Sequence, residues 1–245
     1  MIGVVFASML FALPYGLTFA WKFLLFCPLF LIFGIKVFFV RFGFNFNYKS
    51  AIFYVIATLC LFNASKFAID DATKIAGLQT INSYSFLWVI SPVFQTLHEE
   101  FALRVLILKY TVRFGPLISA IILALIFALS HFLLYGFGFE KVKLEFSVLL
   151  TLFSFGLGSN LLFIKENNFL LPFLFHLCWN LNRFRNLFLH DNKLLKEGNT
   201  FNLIEGSPLV LALSLGFLSF SIIFYLFNAG KILPGIELIK KVDFT

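Results

Sequence analysis

Residues 84–108 read YSFLWVISPVFQTLHEEFALRVLIL, an apolar stretch that carries two adjacent glutamates and an arginine. A helix needs about 20 mainly apolar residues to cross a bilayer, so this stretch is long enough to span. A carboxylate is costly in hydrocarbon, and ionisable residues within spanning segments usually face the interior of the bundle and serve a function. Glu99 and Glu100 therefore predict a functional site enclosed by spanning helices.

The composition of the whole chain is that of a multi-pass integral membrane protein. Of its 245 residues, 60% are apolar and 13% are charged, whereas soluble domains carry about 25% charged residues. The net charge of +7 indicates contact with the anionic headgroups of the lipid bilayer. No basic cluster with interleaved aromatic residues lies outside the apolar segments, so we expect no nucleic-acid partner.

Eight segments have the length and hydropathy of spanning helices, which predicts an all-α transmembrane bundle over 1–245 as a single domain. The segments run over 2–20, 23–40, 49–65, 84–108, 115–135, 145–164, 169–189 and 208–228. The polar stretch 66–83 is predicted to be an amphipathic or surface linker. The residues suited to chemistry fall within 84–190, which we interpret as the catalytic core.

The fourth segment offers an ion pair beside a second carboxylate. Glu100 and Arg104 stand one helical turn apart and can pair on one face. Glu99 is rotated by about 100° from its neighbour, so it can face a cavity while Glu100 is neutralised. A structural ion pair would explain Glu100 and Arg104 alone, and the second glutamate is what favours catalysis. The zinc-protease spacing H-E-x-x-H is absent, because Ala102 stands four residues after His98.

Two further apolar segments each contribute a histidine. The fifth segment contains FALSH, ending at His131, and a single helical histidine is more often a packing residue than a base or ligand. The seventh contains HLCWN, with His176 and Asn180 on one face. That pair suits metal ligation or oxyanion stabilisation, and interhelical hydrogen bonding is the simpler alternative. Trp179 points to another face and is predicted to be a packing residue.

If these motifs serve one site, their side chains must converge. We expect a side-chain nitrogen of His131 and one of His176 to lie within hydrogen-bond distance, or one water, of the Glu99 carboxylate. Asn180 should line the same cavity. The sixth segment carries Gly156, Gly158 and Asn160, which are suited to close helix packing around the site.

The motifs E-E-x-x-x-R, F-x-x-x-H and H-x-x-x-N, in this order and in separate apolar segments, resemble the CPBP family of intramembrane proteases. This family includes CAAX prenyl endopeptidases and bacteriocin-processing proteins. The resemblance implies a protease of the bacterial inner membrane that cleaves a membrane-associated protein or peptide. The alternatives are a non-enzymatic immunity or scaffold protein and a proton-coupled transporter, although a transporter would more often show inverted repeats.

The resemblance also implies a role for each candidate residue. Glu99 would be the general base that activates water, with His131 assisting. His176 and Asn180 would stabilise the oxyanion, and the Glu100–Arg104 pair would set the geometry of the first motif. Glu99, His131 and His176 would also suffice to hold a divalent metal such as zinc. A metal-free glutamate mechanism is an equal alternative.

Overall fold

The computed structural model describes residues 48–82, 87–108, 111–136, 145–166, 170–191, 193–194 and 197–227. The first two predicted spans, 2–20 and 23–40, lie outside these ranges. Within them the α-helices are α1 Tyr48–Ile75, α2 Leu87–Glu100, α3 Pro116–Gly136, α4 Phe146–Glu166, α5 Leu170–Arg185, α6 Glu197–Glu205 and α7 Pro208–Phe227. A π-helix, Phe101–Leu108, continues α2, and the 3-10 helix Val112–Phe114 precedes α3. The predicted helical class is confirmed.

A small antiparallel sheet is added to the helices. It consists of β1 Gln79–Asn82, β2 Asn186–His190 and β3 Lys193–Leu194 in the order β1-β2-β3. Gln79 pairs with Leu189, so the sheet joins the chain after α1 to the chain after α5. The prediction that the seventh span continues to residue 189 is therefore wrong, because α5 ends at Arg185 and the next residues extend into β2.

The predicted end of the third span at residue 65 is wrong, because α1 continues through the first ten residues of the stretch 66–83, which was predicted to be an amphipathic or surface linker. The helix continues because Ala68, Ile69 and Ala72 form one apolar face that is buried in the core. It stops before Gly77, whose φ of +66° is a left-handed conformation that glycine adopts without steric cost.

Helix α4 is the central element of the bundle and packs against α3 on one side and α7 on the other. A Cβ at Gly158 would lie 2.8 Å from a ring carbon of Phe217, and one at Gly156 would lie 3.0 Å from the ring of Phe127. Asn160 donates a hydrogen bond of 2.9 Å to the Ala120 carbonyl on α3. The predicted close packing at these three positions of the sixth segment is confirmed.

Two of the described helices, Phe146–Lys165 and Pro208–Phe227, are long and apolar enough to cross a membrane, and Pro116–Phe132 is a shorter apolar helix. The described residues thus do not show eight spans. In α7 only 22% of the apolar window is buried, against 61% in α4. The outward side of α7 is instead covered with large apolar residues: Leu215, Phe220, Ile222, Ile223, Leu226 and Phe227. Such a face is suited to lipid.

Candidate active site

The innermost part of the site is an ion pair within one helical run. Glu100 is the last residue of α2, and Arg104 lies four residues on, in the π-helix. The Arg104 Nη1 atom donates to Glu100 Oε1 at 2.8 Å, and both residues are fully buried. The predicted pairing of Glu100 with Arg104 is confirmed. Burial of both charges means that each depends on the other, because neither has water to solvate it.

The same carboxylate oxygen also bonds to His176 on α5. Its distance to the His176 Nδ1 atom is 2.8 Å. An ionised carboxylate only accepts hydrogen bonds, so Nδ1 carries the hydrogen and donates it. This bond fixes the orientation of the imidazole and leaves Nε2 as its reactive nitrogen. That atom lies 3.6 Å from Oε2 of Glu99.

Glu99 is held at the edge of a cavity. Gln95, one turn earlier on α2, donates from Nε2 to Glu99 Oε1 at 3.0 Å. The other oxygen faces His176 at a separation too long for a direct hydrogen bond, and a water beside the two groups can bond to both. Glu99 is thus oriented by neighbours on two helices, and one of its oxygens is directed to the second motif.

His131 reaches the same region from α3. Its Nδ1 atom donates to the Phe127 carbonyl at 2.8 Å, so Nε2 is the ring nitrogen that remains for chemistry. The ring of Phe127 meets the imidazole edge-on at 4.7 Å, and Phe201 of α6 stacks on it at 5.7 Å. The ring of Phe127 also meets the imidazole of His176 edge-on at 5.9 Å, so the second motif contacts the third. The three motifs therefore meet in space.

These groups line one cavity of about 90 Å³, which has room for several water molecules. Glu99, His131, His176 and Asn180 all contribute to its wall, while the Glu100–Arg104 pair lies outside the lining. The predicted position of Asn180 in this cavity is confirmed, and the predicted distance from His131 to the Glu99 carboxylate stays a prediction. Much of the remaining wall is apolar: Leu61, Phe127, Leu152, Phe155, Phe175, Trp179, Phe201, Val210, Leu213 and Phe217.

Sequence reasoning missed several polar members of this site. Thr96 accepts a hydrogen bond of 2.9 Å from Asn180 Nδ2, and Gln95 holds Glu99. Both stand four residues before a glutamate of the doublet, and that spacing was the available signal. Trp179 packs against the buried cluster around Ile69, as predicted. It also lines the cavity and donates from Nε1 to Glu205 of α6 at 3.2 Å.

The side chains present do not form the predicted zinc-like site. Over the ranges that the structure describes, no three His, Cys, Asp or Glu side chains are grouped so as to hold a metal ion. The metal-ligand interpretation of Glu99, His131 and His176 is therefore not supported.

Comparison with models of protein families gives a match within the chain. Residues 81–182 match the family model described as type II CAAX prenyl endopeptidase Rce1-like. This range contains all six candidate residues, from Glu99 to Asn180. No curated protein and no solved structure matches the chain. The family resemblance predicted from the three motifs is confirmed.

Proposed function

We propose that this chain is an endopeptidase that cleaves membrane-associated proteins or peptides. The match of residues 81–182 to the Rce1-like family model supports this proposal. One observation carries the proposal. Oε2 of Glu99 and Nε2 of His176 lie 3.6 Å apart at the wall of a cavity that His131 and Asn180 also line. A carboxylate, two imidazoles and an amide around one cavity can supply the base and the oxyanion donors that peptide hydrolysis needs.

Glu99 acts as the general base. Its Oε2 atom takes a proton from a water in the cavity while the water oxygen attacks the carbonyl carbon of the scissile bond. His131 assists through Nε2, because its Nδ1 atom is bonded to the Phe127 carbonyl. The proton on Glu99 then passes to the leaving amine as the carbon–nitrogen bond breaks. The products are a carboxylic acid and an amine, which ionise to a carboxylate and an ammonium group, so atoms and protons balance.

His176 and Asn180 stabilise the oxyanion that forms when water attacks. Asn180 can donate through its amide nitrogen. His176 lines the same cavity and is held by the bond from its Nδ1 atom to Glu100 at 2.8 Å. It donates from Nε2 when both ring nitrogens carry hydrogen. The buried Glu100–Arg104 pair thus fixes the position of one side of the oxyanion site.

The apolar wall indicates the class of substrate. Aromatic and aliphatic side chains surround the polar groups, so the residues next to the scissile bond should be apolar. A peptide with a prenylated CAAX-type C-terminus and an unprenylated peptide precursor both have this character. These are the two probes to compare.

Cleavage in ¹⁸O-labelled water tests the proposal directly. Purified protein in lipid nanodiscs is incubated with a farnesylated CAAX peptide and with its unprenylated twin, and the products are analysed by mass spectrometry. We expect cleavage at one bond, with one ¹⁸O atom in the new carboxylate at first turnover. Intact peptides in both arms, from a preparation of well-folded protein, would contradict hydrolysis of this substrate class.

A further inference from the structure

We infer that Gln95 and Thr96, one helical turn before the glutamate doublet, are positioning residues for peptide hydrolysis. The inference rests on the proposed function, since it concerns the orientation of Glu99 and Asn180 during that reaction. Neither residue belongs to the three motifs. Each nevertheless makes a hydrogen bond to a residue that does.

Gln95 restrains the orientation of the Glu99 carboxylate. Its amide nitrogen donates to Oε1 at 3.0 Å, and Oε2 lies on the side of His176. A carboxylate can rotate about its last carbon–carbon bond, and the bond from Gln95 restricts that rotation. General base catalysis needs the accepting oxygen within reach of the attacking water, and a fixed carboxylate meets that requirement. Gln95 lines the same cavity as the base it holds.

Thr96 fixes the amide of Asn180. Thr96 and Glu100 lie one turn apart on α2, as do His176 and Asn180 on α5. The two helices are thus joined by two parallel bonds: Glu100 to His176 at 2.8 Å, and Thr96 to Asn180 at 2.9 Å. Thr96 is fully buried and accepts one N–H of the Asn180 amide. An amide nitrogen has two N–H donors, so the orientation that Thr96 imposes directs the second toward the oxyanion.

Interhelical adhesion is the competing interpretation, because polar side chains also hold membrane helices together. The two interpretations differ in the quantity that changes. Loss of adhesion lowers thermal stability alone. Loss of positioning lowers kcat while KM stays constant, because substrate binding does not depend on the orientation of the amide.

Conservative variants separate these effects. Thr96→Val removes the hydroxyl with little change of shape, and we expect kcat to fall by about 10- to 100-fold at unchanged KM. Thr96→Ser restores the hydroxyl and should recover most of the rate. Thr73→Val is the matched control, because that buried hydroxyl bonds only to the Asp70 carbonyl of its own helix among the described contacts. A folded Thr96→Val protein with wild-type kcat would overturn the inference.

Gln95 is tested in the same way. Gln95→Met keeps the length of the side chain and removes its donor, so kcat should fall by about tenfold or more while KM is retained. Gln79→Met, at an exposed strand position, is the control for the chemical change. Equal kcat values for the Gln95 variant and the wild type would exclude a positioning role for this residue.

A double-mutant cycle tests whether Thr96 acts through Asn180. Adding Thr96→Val to the Asn180→Ala variant should lower kcat little further. A double variant whose loss of kcat equals the product of the two single losses would contradict the inference.

The same cycle can be measured in melting temperature, which needs no substrate. If the wild-type protein cleaves neither probe, the proposed function fails. The melting-temperature cycle then decides whether the bond exists, and additive shifts would overturn the inference.

Discussion

Glu100 and Arg104 meet at 2.8 Å with both side chains fully buried, and His176 shares the same carboxylate oxygen. Removing one partner of a buried pair leaves the other charge without compensation, which costs about 3–5 kcal/mol in soluble proteins. We therefore expect Arg104→Ala to lower the melting temperature of the purified protein as well as its activity. Lys193→Ala is the control, because Lys193 is exposed. A stable, wild-type-like Arg104→Ala protein would show that the pair contributes little.

Metal removal should leave the cleavage rate unchanged. The proposed mechanism uses Glu99 as its base, and the described residues contain no grouped set of three metal-ligating side chains. The measurement is the initial cleavage rate before and after dialysis against a chelator, with the metal content determined in parallel. A rate that is lost on chelation and restored by zinc would contradict this expectation.

Much of the site could be predicted from single residues because charge inside an apolar bundle leaves few alternatives. Glu99, Glu100 and Arg104 stand out against hydrocarbon, and they could be satisfied only by other polar groups of the bundle. Gln95 and Thr96 could not be recognised in this way. Neutral amides and hydroxyls occur widely in membrane helices, and their importance here depends on which groups they contact across α2 and α5.

At the scale of helices, the contact between α3 and α4 positions His131 through Phe127. A Cβ at Gly156 would lie 3.0 Å from the ring of Phe127, whose carbonyl holds the histidine. Gly156→Ala should therefore displace Phe127 and reduce activity, with a stability cost of about 1–3 kcal/mol from overpacking. Gly216→Ala on α7 is the control, since nothing lies within 4 Å of its added Cβ. Equal activity and melting temperature for the two variants would contradict this packing account.

The long apolar helices were predictable and the sheet was not. Predicted spans 115–135, 145–164 and 208–228 match α3, α4 and α7 closely, since hydropathy over 20 residues reports burial in lipid or in the bundle. Strand pairing between Gln79 and Leu189 joins residues far apart in sequence, and local hydropathy carries no signal for it. The polar stretch after residue 66 stays helical because its apolar face is buried, which depends on the tertiary fold.

For the molecule as a whole, the apolar outer faces of α3 and α7 should contact lipid. Ile122 and Ile223 are exposed on these helices, whereas Ser214 of α7 is buried. Spin labels at Ile122→Cys and Ile223→Cys, in a background without the native cysteines, should relax rapidly with oxygen and slowly with a water-soluble nickel complex. A label at Ser214→Cys should respond weakly to both. Strong nickel relaxation at the two isoleucine positions would place these faces in water.

The central claim is that Glu99 is the base of a membrane-embedded peptidase, and a single substitution tests it most directly. Glu99→Gln keeps the shape of the side chain and removes its basicity, so single-turnover cleavage of the peptide probe that the wild type cleaves should be lost while the melting temperature is kept. Glu145→Gln makes the same chemical change at an exposed position and should cleave at the wild-type rate. Wild-type cleavage by a folded Glu99→Gln protein would contradict the account.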